Sequence, residues 1–250
     1  MKVMFITQED PIYVGEFWDE FSKNINQLSP NIEITSMVSL MPLGKNNKID
    51  LFNRVYNMYG FIGTFKVGIK FLKSKVEKKD LNYYCKKMNI NYVSTNKIHS
   101  KDFLEKASTH DLIISVAASR IFKKSLINSP KFGIVNIHSG PLPYYKGMMP
   151  VFWQMRDGNK EIGITIHSVN EEIDSGRIYK QEFVDISDIK KLDEAIRYTK
   201  RKGANLMMDF LNNFESYYNN SEEMKKEGTY FTFPKRKDTK KFKRNGYKLI

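Results

Sequence analysis

The run Leu112-Ile-Ile-Ser-Val-Ala117, entered from Asp111 and nearly unbroken by polar residues, restricts the fold more than any other segment. A strand with one wet face alternates apolar and polar residues, so a continuous apolar run indicates a parallel strand covered on both faces. Parallel strands need helical crossovers, and the neighbouring sequence supplies them. Lys2 to Thr7 reads as a strand, followed by Val14 to Leu28, where Phe17, Phe21, Ile25 and Leu28 recur at helical spacing. Asn31 to Ser39 alternates before a turn at Pro42-Leu43-Gly44. Asn91 to Thr95, Ile134 to Ile137 and Ile162 to Val169 read as further strands, and Lys101 to Ser108 and Leu192 to Phe214 as helices. The alternation predicts an α/β fold with a mostly parallel central sheet, whose ligands sit at the carboxyl ends of strands.

The chain has 250 residues, 41% of them hydrophobic, enough to close a core and long enough for one large domain with a modest appendage. The expected division is a catalytic unit over 1–214, with an aromatic and basic insertion at about 49–80, and a basic appendage over 215–250. The insertion reads as two amphipathic helices broken near Gly60 and Gly63. The appendage contains a strand-like patch, Gly228-Thr-Tyr-Phe-Thr-Phe-Pro234. Cys85 is the one cysteine, which excludes an intramolecular disulfide and any multi-cysteine metal site and fits a reducing compartment. The opening residues turn acidic after too few apolar positions for a signal core or a span, so the chain reads as cytoplasmic with no membrane partner.

Forty-one Lys and Arg against 28 Asp and Glu leave a formal charge of +13. Eight of those charges come from Lys225 to Lys248, where ten basic residues face two acids, and a second run of six lysines spans Lys66 to Asp80. Charge concentrated in this way points to nucleic acid, an anionic lipid surface or phosphorylated small substrates, or else to a solvated lysine-rich surface.

Several common sites are missing. No G-x-G-x-x-G follows the first strand, and Gly63 to Lys70 fails as a phosphate loop because Ile69 stands where the lysine belongs. The four histidines lack H-E-x-x-H spacing and cysteine partners, so no metal is expected. Ser139 lies in His-Ser-Gly-Pro and not in a nucleophile elbow.

What remains is Asn136-Ile-His138-Ser-Gly-Pro at the end of a strand. In extended backbone, Asn136 and His138 point to the same side and can converge on one atom. Downstream, the strand Gly163-Ile-Thr-Ile-His-Ser-Val runs into a loop that carries Asp174. An amide donor, an imidazole and a carboxylate suit acyl transfer to an amine: the first two stabilise the oxygen that gains charge, and the carboxylate accepts the amine proton. The same residues also fit turn-capping roles. His167, on the apolar Ile-Thr-Ile-His strand, reads as a structural histidine.

The stretches Asn136-Ile-His138-Ser-Gly-Pro-Leu-Pro-Tyr-Tyr-Lys-Gly147 and Gly163-Ile-Thr-Ile-His-Ser-Val-Asn-Glu-Glu-Ile-Asp174-Ser-Gly-Arg-Ile-Tyr-Lys-Gln181 resemble the signature of the N10-formyltetrahydrofolate-dependent formyltransferases. The likeness runs from about Asp111 to Gln181. It implies a Rossmann-like formyltransferase fold, N10-formyltetrahydrofolate as cosubstrate, and Asn136, His138 and Asp174 as the catalytic set. It also implies a pterin site built from Ser119, Arg120, Ile121 and Phe122 together with Val169, Asn170, Glu171 and Ile173, with Ile127 as a further contact. Lys146 stands where an arginine is often found, keeping the charge without the planar fork.

Within that family, the methionyl-tRNA enzyme carries a nucleic-acid-binding domain after the catalytic one, and only about 45 residues follow Asn205, so tRNA is disfavoured. The glycinamide ribonucleotide enzyme is smaller, and the loop Gln8-Glu-Asp-Pro11 lacks its glycine-rich cradle. Formyl-folate deformylase carries a regulatory domain ahead of the catalytic one. The opening Ile6-Thr-Gln-Glu-Asp-Pro11 and the ending Gly228 to Asp238 resemble the sugar N-formyltransferases, which formylate nucleotide-linked 4-amino-4,6-dideoxy sugars for bacterial surface glycans. The nucleotide, UDP or dTDP, stays open, as does a homodimer. On this resemblance Gln8, Asp10 and Tyr13 line the sugar-nucleotide pocket, Tyr144, Tyr145 or Trp153 offers a stacking face, and Lys146, or a lysine of the 66–79 run, meets the diphosphate. A basic protein on the same fold that binds RNA or an anionic surface is the alternative from a different class.

Overall fold

The computed structural model describes residues 1–10, 12–40, 45–76, 79–118, 120–225 and 227–250, with side chains in the segment 45–76 described for 52–73. The expected turn at Pro42-Leu43-Gly44 lies outside the described residues. In chain order the elements are β1 (Lys2–Gln8), α1 (Val14–Lys23), β2 (Glu33–Leu40), α2 (Lys45–Val76), α3 (Leu81–Met88), β3 (Asn91–Ser94), α4 (Lys101–Ser108), β4 (Leu112–Val116), α5 (Lys124–Ile127), β5 (Ile134–His138), β6 (Lys146–Gly147), α6 (Pro150–Arg156), β7 (Glu161–Ser168), β8 (Ile178–Asp185), α7 (Leu192–Asn212), α8 (Phe214–Asn219), β9 (Tyr230–Phe231) and α9 (Arg236–Arg244).

Seven strands form one sheet in the order β3-β2-β1-β4-β5-β7-β8. From β3 to β5 every pairing is parallel. All five residues of β4, the continuous apolar run, are buried between β1 and β5. The mostly parallel α/β sheet is therefore as the hydrophobic pattern predicts. β7, in contrast, runs antiparallel to both β5 and β8. Between β5 and β7 the chain turns sharply after His138 and forms the short helix α6.

Both faces of the sheet are covered. On one side α1 buries Val14, Phe17, Trp18 and Phe21, with Trp18 edge-on to Phe5 of β1 at 5.0 Å. The residues of α7 that point inward, Leu206, Met207, Phe210 and Leu211 among them, join the same core. Gly203 of α7 faces Ile137, and a Cβ there would stand 3.1 Å from the Ile137 side chain. The close approach of helix and strand fixes β5 from behind. The opposite face holds a smaller apolar cluster of Met4, Ile6, Leu40, Ile113, Phe122 and Leu126.

The insertion is a single assigned helix interrupted at Gly60, whose φ of 70° no helix contains. Gly63 lies within the helix. Met58 and Tyr59 anchor it to the core, but the apolar residues that follow face solvent, as taken up below. The tail is ordered and packs into the main core through Phe242, Tyr247 and Leu249. Phe242 stacks on Phe152 at 4.9 Å. No helix among the described residues is long and apolar enough to cross a membrane.

Candidate active site

The last three residues of β5 are Asn136, Ile137 and His138. Strand alternation turns Ile137 toward Gly203 of α7 and leaves Asn136 and His138 together on the other side. Facing them on β7, Gly163, Thr165 and His167 share one face by the same alternation, Asn136 opposite His167 and His138 opposite Thr165. The loop after β7 folds back and brings Asp174 over the pair. Its carboxylate lies 3.6 Å from His138 Nδ1 and 3.7 Å from His167 Nε2, and it accepts a hydrogen bond from the Gly147 amide at 2.8 Å.

The hydrogen bonds assign the tautomers. His138 Nε2 lies 2.8 Å from the Tyr145 carbonyl, which can only accept, so Nε2 carries a proton and Nδ1 faces Asp174. His167 Nδ1 lies 2.8 Å from the Ser168 carbonyl and therefore donates. Its Nε2 is left to accept from the Asn136 amide at 3.1 Å. A neutral His167 suits this arrangement. Burial pushes its pKa down to about 4 against the pull of Asp174, and His138 pushes in the same direction as burial.

The turn between β5 and α6 is held by side chains that the motifs did not single out. Thr165 Oγ1 donates to the Gly140 carbonyl at 2.7 Å and accepts from the Leu142 amide at 3.2 Å. Gln181 donates to the Leu142 carbonyl and to Thr165. Gln154 donates to the Ser139 carbonyl and accepts from the Gly163 amide, both at 2.9 Å. The peptide Leu142-Pro143 is cis. Strand β9 then pins the turn from outside: the amides of Tyr145, Lys146 and Met148 donate to Thr229 Oγ1, the Thr229 carbonyl and the Phe231 carbonyl. Tyr145 and Asp174 both hold positive φ, 57° and 49°. Such left-handed backbone is rare outside glycine and costs about 1–2 kcal/mol per residue. Here two of the residues that bear it supply the acceptors around His138.

The two stretches expected to hold a pterin meet at the smaller cluster, with Phe122 in it and Val169 against it. Ser119 lies outside the described residues. Arg120 Nε is buried without a hydrogen-bond partner among the described residues, and Ile121 and Ile173 are 68% and 48% exposed. Free apolar side chains beside an unmatched buried donor fit a flat heterocycle with polar edges. Phe122 departs from expectation: at 5% exposure it belongs to the core and presents no face to a ligand. Ile127, too, packs against that cluster. Asn170 Oδ1 accepts from the Glu172 amide and the Ser175 hydroxyl, which shapes the loop, while Glu171 is exposed.

Of the residues expected around an acceptor, Trp153 is a correction. Its indole is 5% exposed, stacked on Phe231 at 4.6 Å with the Arg156 guanidinium 4.5 Å over the ring, and its Nε1 donates to the Met148 and Thr232 carbonyls. No face is left to stack a base. The Tyr145 ring is likewise engaged, stacked on Phe231 with its hydroxyl bonded to Asp157. Asp10 caps the amides of Ile12 and Tyr13. The Tyr13 hydroxyl donates to Asp193, and burial raises its pKa. Tyr144 is 52% exposed, and Lys146 and Gln8, the latter at the carboxyl end of β1, are partly exposed. Among the described residues no group of His, Cys, Asp or Glu could hold a metal ion.

The family described as formyl transferase matches residues 70–211 of this chain. Methionyl-tRNA formyltransferase of Listeria monocytogenes serotype 4a (strain HCC23) is 36% identical over 104 residues, which are 42% of this chain and 33% of that protein. The match thus spans about a third of that relative's length. Among solved structures, a sugar N-formyltransferase from Shewanella sp FDAARGOS_354 superposes with a TM-score of 0.56 at 20% identity, covering 93% of this chain and 76% of the other. A phosphoribosylglycinamide formyltransferase from Anaplasma phagocytophilum gives 0.60 at 13% identity, covering 93% and 97%. At these identities the structures show the shared fold.

Proposed function

The chain belongs to the formyl transferase family, and on that premise we propose that it moves a formyl group from N10-formyltetrahydrofolate to the amine of a nucleotide-linked 4-amino-4,6-dideoxy sugar, UDP- or dTDP-linked. The observation that carries the chemistry is the convergence of Asn136, His138 and Asp174 at the end of β5. In this reading Asn136, by its second amide hydrogen, donates to the carbonyl oxygen of the formyl group as an amine attacks it, and His138, whose Nε2 proton is held by the Tyr145 carbonyl, donates from Nδ1 as the imidazolium. Asp174, directly or through one water, takes the proton that the amine sheds, and as the new C–N bond forms the bond from the formyl carbon to N10 breaks, tetrahydrofolate leaving with a proton on N10. The 3.6 Å separation of Asp174 from His138 shortens when substrate closes the site, as catalytic hydrogen bonds often do. The folate cosubstrate supplies the activated formyl group. Arg120, Ile121, Val169, Asn170 and Ile173 hold its ring, and the exposed Tyr144 ring with Lys146 and Gln8 receives the nucleotide sugar.

The sugar assignment is supported by the resemblance of the opening and of residues 228–238 to the sugar enzymes. The identity with a methionyl-tRNA formyltransferase favours a second acceptor, the aminoacyl-tRNA. Incubating the protein with N10-formyltetrahydrofolate and each acceptor, and following the product mass for one added CO, separates them. Gain of CO on a UDP- or dTDP-linked amino sugar is expected. Formylation of methionyl-tRNA alone would move the acceptor, and formylation of none would remove the assignment.

A further inference from the structure

The second half of α2 turns an apolar stripe to solvent. Phe61, Ile62, Phe65, Ile69 and Leu72 are between 51% and 78% exposed, and at helical spacing they occupy an arc of about 100°. The opposite arc holds the helix to the protein. There Lys70 pairs with Asp193 at 2.6 Å, and Gly63 faces the C-terminal segment across a groove. The exposed stripe is thus the outward side of a docked helix. Monomeric proteins rarely present so contiguous an apolar surface without a partner.

The surroundings of the stripe are basic. Lys66 and Lys73, both exposed, border one edge. The groove beside Ile62 is lined by Lys66 of α2 and by Lys243 and Lys248 of the C-terminal segment. On α9, Thr239 and Phe242 are buried, and Arg236, Lys237, Lys240, Lys241, Lys243 and Arg244 are all exposed. The tail that carries most of the net charge therefore adjoins the apolar stripe.

We propose that this face, the outward side of α2 with α9, binds the surface of an anionic lipid bilayer, with the stripe seated among the acyl chains and the lysines at the headgroups. Charge complementarity selects the occupant. A second copy of the chain would bring two basic faces together. A nucleic acid would answer the charge, but the aliphatic side chains of Ile62, Ile69 and Leu72 have nothing to stack on a base. The binding is peripheral, with the helix lying in the interface, and it departs from the expectation of no membrane partner, which rested on the lack of a spanning run. It is independent of the reaction assigned above.

Sedimentation of the full chain with vesicles tests it. Binding is expected to vesicles of phosphatidylcholine with phosphatidylglycerol, at least about tenfold above phosphatidylcholine alone, and to weaken in about 0.5 M salt. Phe65→Glu with Ile69→Glu should lower the bound fraction about tenfold with the far-ultraviolet spectrum unchanged. Phe61→Ser with Leu72→Ser gives a second reading should the first pair fail to fold. Equal binding to both vesicles, or binding to neither, overturns the proposal. So does a dimer in sedimentation velocity that Phe65→Glu dissolves, or RNA binding that survives both pairs of substitutions while vesicle binding is absent.

Discussion

Asp174 faces two histidines held in different ways, and this difference can be measured. His138 has acceptors at both ring nitrogens, the Tyr145 carbonyl and Asp174. His167 accepts from Asn136 and is buried neutral. A histidine whose folded pKa is lowered from 6.5 to about 4 leaves the unfolded chain with more bound protons between those values. Its contribution to stability is present above pH 6.5 and is lost as pH falls toward 4. Urea unfolding across that window should show the loss, and His167→Gln should flatten it. Separately, Asp174→Asn and His138→Ala should each lower formyl transfer about 10²- to 10⁴-fold with an unchanged unfolding midpoint, and near-normal turnover in both would remove the mechanism. Asn136 and His138 were legible because strand parity alone pairs them. Asp174 was legible through the family resemblance, since nothing local tells a loop carboxylate which strand end it will cover. His167 was legible as a structural histidine on the apolar Ile-Thr-Ile-His strand, and its hydrogen bond to Asn136 was not. The Tyr145 contribution was not, because it is a carbonyl, and Trp153 misled because its covering partner Phe231 lies 78 residues away in the chain.

The elements around the site divide in the same way. Strands β1, β4 and β5 follow from hydrophobic runs because burial on both faces leaves little room for another reading. The orientation of β7 does not follow from its composition, since alternation along a strand reads the same in either direction. The two-residue pairing of β6 with β9 is below any periodicity, yet it holds the turn that ends in Asp174's partner amide. Gly147 makes that pairing workable. It has φ of 90°, and a Cβ there would collide with the Phe231 carbonyl and stand 2.9 Å from the Tyr230 ring. Gly147→Ala is expected to displace β9 and to cost about 1–3 kcal/mol, with a fall in formyl transfer larger than that of a remote variant of equal stability. Thermal unfolding and turnover measured on the same preparation check both parts.

At the scale of the whole molecule, the tail that reads as an appendage is wall and floor of the main core. Phe242 is inaccessible to solvent, stacked on Phe152 and 5.2 Å from Tyr247, and the Leu192 amide at the start of α7 donates to the Lys248 carbonyl. Phe242→Ala should therefore cost about 3–5 kcal/mol in a single cooperative transition; a separate early melt of the tail would contradict this. The tail's charges stand outside while Phe242 and Tyr247 point in, which is why charge composition described its surface and left its packing unread. The threading also has a temporal side. Proteins are made from the N-terminus, and early segments begin to fold first. A nascent chain halted before Gly228 could hold Asn136, His138 and Asp174 on a formed sheet, yet the amides of Tyr145, Lys146 and Met148 would still await Thr229 and Phe231. The turn around the candidate site thus matures only after residues 229–231 have been made.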